Sequence, residues 1–281
     1  MRFLFALGVG CALCAPAFAA DPAPVPADAK RNPILTAEEV LAILHEQDVT
    51  FEEGNLNDVP LFELMQKLTK RYKPAIVFNV EAFRASGVND IIERKPNLAA
   101  TQLKGLSLHR FLTVMLESMN ATYLVKNGLI EIVPISYAAK VTKNKLLEAG
   151  EGSDKLAEPL VSLVVKEKPL NETVALIAER YDLTVVVSPQ AGDARMGFVT
   201  TRLLNMPADK ALELVALQAD LRVVRKGNAY LITSRDHAND LLNEGLEKER
   251  QKIEVEKLRA EVGKPQPPKP PEMPPEPKQE K

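Results

Sequence analysis

Apolar residues recur along this chain with two different periods. Leu61, Leu64, Met65, Leu68 and Tyr72 fall at i, i+3, i+4, i+7 and i+11, the stripe of one helix face. Leu108, Phe111, Leu112, Met115 and Met119 repeat that spacing further on. Leu170, Val174, Ile177 and Tyr181 form a third stripe, and Ala208, Leu212, Val215 and Ala219 a fourth. A β-rich segment follows each one, at 75–79, 121–125, 183–187 and 221–225. Two of these segments run through turn residues into another strand. Asn127-Gly128 precedes 129–133 and Gly227-Asn228 precedes 229–233, and both predict hairpins. The pattern is strand–helix–strand, four times over. A helix of about 13 residues is marginal in water alone, so each must bury its apolar face against a sheet.

The stripes belong to a longer repeat. Residues 60–81 align without gaps on 169–190 at an offset of 109, with identities Pro60/Pro169, Leu61/Leu170, Glu63/Glu172, Arg71/Arg180, Tyr72/Tyr181 and Val77/Val186. Residues 103–133 align on 203–233 at an offset of 100, with Leu112/Leu212, Lys126/Lys226 and Ile132/Ile232. The offsets differ by nine, so the first copy carries nine extra residues between Ala82 and Thr101. The expected fold class is α+β: two tandem βαβ–βαβ units at 49–135 and 158–234, joined by a linker at 136–157.

The ends of the chain read differently. Arg2, the apolar run 3–13 and the small residues Ala17, Ala19 and Ala20 follow the order of a secretory signal peptide, expected at 1–20. Residues 21–48 read as a flexible lead-in and a short helix, opened by the capping-box pair Thr36 and Glu39. Residues 235–262 read as a charged, solvated helix partly docked on the preceding unit; Leu241, Leu242, Leu246, Ile253, Leu258 and Val262 make an imperfect stripe with no sustained heptad. Eight prolines crowd the last 18 residues, so 263–281 reads as a disordered tail or tether.

Composition narrows the chemistry. Both cysteines, Cys11 and Cys14, leave with the signal, so no disulfide, thiol nucleophile or thiolate metal site is expected. A formal charge of -2 leaves no basic excess for gripping nucleic acid. His45, His109 and His237 have no partner at metal-ligand spacing and lie on predicted helices among polar neighbours, which predicts surface histidines. Gly150-Glu151-Gly152 lacks the third glycine of a phosphate loop, and no Gly-x-Ser-x-Gly elbow occurs. The carboxylates sit at helix starts or on charged faces. Tyr72 and Tyr181 are expected in the core, and Arg71 and Arg180 as charges facing their helix C-termini. No catalytic residue, metal site, cofactor or small-molecule ligand is inferred.

The phrase Val59-Pro60-Leu61 opening a helix, followed by a strand from Lys73, resembles the short N-terminal domain of secretins and TonB-dependent receptors, the STN domain. The second copy matches better, through Lys168-Pro169-Leu170-Asn171-Glu172, Leu203-Leu204-Asn205-Met206-Pro207 and the closing Asn228-Ala229-Tyr230-Leu231-Ile232-Thr233. The resemblance implies two helices held between small sheets, in a cell-envelope domain that acts by protein contact. With 47 residues after Ser234, neither a secretin pore nor a receptor barrel is expected. The expected function is a non-enzymatic, exported, periplasmic or envelope-associated interaction module, an adaptor of a secretion, transport or signalling assembly. Its partner would be an envelope protein or a second copy, with no nucleic acid and no membrane span after signal cleavage. The alternatives are a self-assembling structural envelope protein or an envelope hydrolase without a recognisable motif. Val88, Ile91, Ile92 and Arg94, in the extra segment of the first copy, are the candidate contact residues.

Overall fold

The computed structural model describes residues 35–49, 56–96, 105–149 and 153–262. The expected signal, most of the lead-in and the proline-rich tail lie outside the described residues. Helix α1, Ala37–Glu46, starts as its capping box requires: Thr36 Oγ accepts the Glu39 N–H, and the Glu39 carboxylate accepts the Thr36 N–H at 2.6 Å. It ends two residues before the expected Asp48, which instead forms an antiparallel bridge with Ser107.

Helix α2, Leu61–Tyr72, buries the residues of its stripe and stops at Lys73, whose backbone is left-handed. Strand β1, Ala75–Phe78, follows, and then the short helix α3, Val80–Ala85. Helix α4, Leu108–Glu117, leads into β2, Ala121–Lys126, and β3, Leu129–Pro134. The hairpin between them is the two-residue Asn127-Gly128 with φ 49° and 76°, the signs a type I′ turn demands.

The second half repeats these steps. β6, Leu160–Pro169, is preceded by helix α5, Ile135–Thr142, and a hairpin of β4, Leu146–Ala149, and β5, Ser153–Leu156. Then come α6, Leu170–Tyr181; β7, Thr184–Val187; a 3-10 stretch, Pro189–Met196; β8, Phe198–Pro207; and α7, Ala208–Leu217. β9, Leu221–Lys226, β10, Ala229–Ser234, and the long helix α8, Arg235–Val262, complete the chain. Its hairpin places a single positive φ on Gly227, the arrangement of a type II′ turn.

Two three-stranded sheets result, ordered β1-β3-β2 and β7-β10-β9. In each, the outer pair is parallel and the hairpin antiparallel, and the register coincides at the sequence offsets: Ala75 faces Leu129 as Thr184 faces Ala229. The left-handed residues coincide as well, Lys73 with Asp182 and Asn120 with Asp220. The correspondence continues beyond 133. Leu124, Val133 and Ala138 form a small buried cluster under α5, and Val224, Thr233 and Ala238 are buried at the matching places beside α8. The stretch expected as a plain join, 136–157, therefore holds most of a helix and a hairpin, because β2 and β3 need an apolar cover on that side of the sheet.

The described residues of the two halves belong to one compact unit and are tied by side chains. β6 and β8 pair antiparallel, with one register shift between Val165 and Lys168 and another between Val161 and Leu163. There β8 spends two residues against one of β6, and the extra Asn205 adopts φ 52°. Asparagine tolerates this conformation, and a bulge re-aims its side chain. The Asn205 amide reaches across to edge strand β2, accepting the Val125 N–H at 2.7 Å and donating to the Val125 C=O at 2.8 Å. Arg110 adds a bond to the Glu179 C=O, and Lys166 pairs with Glu38 of α1.

Replacing Asn205 with glycine keeps the left-handed backbone accessible but removes both bonds to Val125. The expected loss is about 1–3 kcal/mol, read as a lower urea midpoint at unchanged slope. An unchanged midpoint would show that this link carries no stability.

Candidate functional site

The candidate contact residues of the extra segment separate on folding. Ile91 is 1% exposed and belongs to the first core. Val88 and Ile92 lie half-buried against the same core. The segment is also hydrogen-bonded to the start of α2, where the Leu61 N–H donates to the Arg94 C=O and the Phe62 N–H to the Ile92 C=O. These bonds satisfy donors that a helix start leaves without intrahelical partners. Arg94 is half-buried as well, with its guanidinium ion-paired to Asp90 one turn earlier. Ile91→Ala should cost about 2–5 kcal/mol in urea unfolding, as a buried truncation does. A loss below 1 kcal/mol would contradict its core position.

Two other surfaces stand out in the folded chain. The first is a pair of sheet edges. Among the described residues no strand pairs with the outer side of β1 or of β7. Both strands alternate exposed and half-buried positions, and both expose a valine at the same repeat position, Val77 at 40% and Val186 at 50%. The opposite edges differ. β2 is engaged by Asn205, and Arg225 of β9 binds the buried Glu158 carboxylate, which also accepts the Tyr230 hydroxyl. Burial and that carboxylate push the Tyr230 phenol far above its ordinary range.

The second surface is a cleft of about 470 Å³ between α4 and β2 on one side and β5, β6 and α6 on the other. At its base His45, His109, Tyr123 and Tyr181 gather, and the two imidazole centroids lie 4.9 Å apart. The expectation of surface positions for His45 and His109 is corrected here. His109 is buried on α4 beside Leu108, and His45 is half-buried on α1 beside Leu44. Their neighbours along the chain are partly polar, but the neighbours that matter come from the other half. The Tyr181 hydroxyl accepts the Ser162 N–H at 2.8 Å and donates to the Ser162 C=O at 2.6 Å. Its proton thus committed, it stands 3.2 Å from His45 Nε2 as an acceptor. Tyr123 meets His109 Nδ1 through its hydroxyl. Tyr72, the repeat partner of Tyr181, likewise donates to a backbone carbonyl, that of Asp48. The core reading of both tyrosines holds, and each hydroxyl has the partner that burial requires.

Burial sets the electrostatics. Desolvation, then His109 and then Arg180 push His45 down to about 3; desolvation, Arg110 and Arg180 push His109 down to about 4. Burial raises the Tyr181 phenol to about 12 and holds the Tyr123 phenol well above its ordinary value. The cluster is therefore neutral at pH 7. Ser162 Oγ accepts the Asn205 N–H at 2.8 Å and is spent on the bulge. Among the described residues, no group of three or more His, Cys, Asp and Glu is arranged to hold a metal ion.

Because both histidines titrate lower in the fold than their unfolded value of about 6.5, the unfolded chain binds protons first as pH falls. Their stabilising contribution is present above pH 6.5 and is lost toward pH 4 and below. Stability should fall between pH 6.5 and 5 with a slope approaching about 1.4 kcal/mol per pH unit for each histidine. The double variant His45→Gln/His109→Gln should flatten that slope in urea titrations; an unflattened slope would place the proton uptake elsewhere.

With the geometry in place, comparison with known proteins adds no assignment: no family model matches the chain, and no curated protein matches it.

Proposed function

We propose that this chain is a non-enzymatic interaction module exported to the cell envelope, in which two STN-like units each offer a free sheet edge to an extended strand of a partner. The observation that carries this reading is the repetition of one exposed feature. β1 and β7 are both parallel edge strands, and both present a valine to solvent at the same position of the repeat. Edge strands invite pairing with another chain, and natural proteins usually blunt them with charge, proline or cover. Here the described residues place no strand on either edge, and Val77 and Val186 sit where a lysine would discourage pairing. A partner strand would gain main-chain hydrogen bonds from the edge and side-chain contact from the valines.

The tandem-unit reading is supported by the common strand order, register and left-handed turn positions of the two halves. Export is supported by the signal-like start, and an envelope setting by the resemblance to the STN domain. No helix among the described residues is long and apolar enough to cross a membrane. The adaptor reading stands ahead of self-assembly because the edges are short, four residues each.

The test uses edge-blocked proteins. Val77→Lys and Val186→Lys, exposed substitutions, should shift stability by no more than about 0.5 kcal/mol. The unsubstituted chain should retain a discrete envelope protein in co-purification, and the double variant should lose it. Retention by the double variant would overturn the edge assignment. A chain that instead forms rings or filaments by light scattering, dispersed by the same substitutions, would replace the adaptor by self-assembly.

A further inference from the structure

The cleft between the halves is separate from the open edges, and its chemistry is that of a small-ligand site. Its volume lies within the range of ligand pockets, a few hundred to about 1,000 Å³. Leu106, Val114, Ile135, Leu156 and Leu160 give it apolar walls from both halves. Val114 on α4 is 39% exposed, and nothing among the described residues covers it fully.

The polar groups are mostly committed. The Tyr123 and Tyr181 hydroxyls are taken by His109 and Ser162, and the Thr113 hydroxyl donates to the His109 C=O. The Arg110 guanidinium donates to the Glu179 C=O. Arg180 differs. It lies half-buried in the last turn of α6, lines the cleft, and has no ion pair among the described residues. Its repeat partner Arg71 takes another role, stacking over the Tyr72 ring with its guanidinium 5.7 Å from the centroid. Glu117 and Asp182 also line the cleft, against Arg110, Lys155 and Arg180, so cations outnumber carboxylates three to two. The histidines add no charge near neutral pH.

We propose that this cleft binds a small molecule made of an apolar body and a single carboxylate, with the carboxylate held by Arg180. A guanidinium presents paired N–H groups that match a carboxylate, and the half-buried position strengthens such a bond. The apolar body fills the space over Val114 and Leu160. Two kinds of molecule share this chemistry, an acyl-chain acid and an N-blocked apolar amino acid, and the cleft accepts either by the same contacts.

Calorimetric titration of the full chain tests this with octanoate and with N-acetyl-leucine, each against its neutral amide. Saturable binding of at least one acid is expected, at least about tenfold tighter than that of its amide, and the acid preferred identifies the source. Arg180→Gln should weaken binding about tenfold or more, the scale of a lost charge-assisted bond. Val114→Trp fills the cleft and leaves Arg180 in place, and should abolish binding, which keeps the test decisive if Arg180→Gln alters the fold. Failure of both acids to saturate, equal binding of acid and amide, or undiminished binding to folded Arg180→Gln or to Val114→Trp would each overturn the proposal.

Discussion

Val125 lies in the edge strand β2, and one side chain from the other half of the molecule takes both its N–H and its C=O. That side chain, the Asn205 amide, imitates a strand's backbone where no strand is present. It can do so because β8 carries one extra residue opposite Ser162, which turns the amide outward. Ser162, opposite the bulge, bonds Asn205 through its hydroxyl and Tyr181 through its backbone. Tyr181 then meets His45 and His109. This bulge thus gathers several of the contacts between the two halves, beside the cleft.

The same constraint explains why the two halves differ in their surroundings. β2 is engaged by Asn205, whereas β9 carries an arginine bound to the buried Glu158 carboxylate. Both devices occupy the hairpin side of a sheet and leave the parallel edge strand alone. Among the described residues no strand pairs with the outer side of β1 or β7, so the open edges and the cleft lie on different parts of the surface. The cleft depends on the junction, whereas each edge belongs to its own sheet.

Much of the secondary structure was legible in the sequence, for local reasons. The stripes from Leu61 to Tyr72 and from Leu170 to Tyr181 mark helices because their spacing allows only one apolar face. Asn127-Gly128 and Gly227-Asn228 announce their turns because few residues accept positive φ. The extra segment of the first copy was visible as an offset change, but not its role. Ile91 looks the same in sequence whether it faces a partner or seals its own core, and only its burial in the first core is visible once the chain is folded. His45 and His109 were less legible still. Each sits next to a buried leucine among polar residues, and no local signal tells which side of such a helix a neighbouring half will cover.

By itself, the sequence determined the four striped helices and the two hairpin turns, since periodicity, turn chemistry and capping act over a few residues. It also determined that no thiol chemistry follows residue 14. Tertiary structure alone decided that Arg180, rather than its repeat partner Arg71, lines a cleft. It also decided that two histidines are kept neutral, and that Val77 and Val186 remain uncovered. Those outcomes depend on desolvation and on contacts between residues far apart in the chain. Equivalent positions of a repeat acquire different chemistry once each half packs against the other, because the environment that sets charge and exposure is no longer repeated.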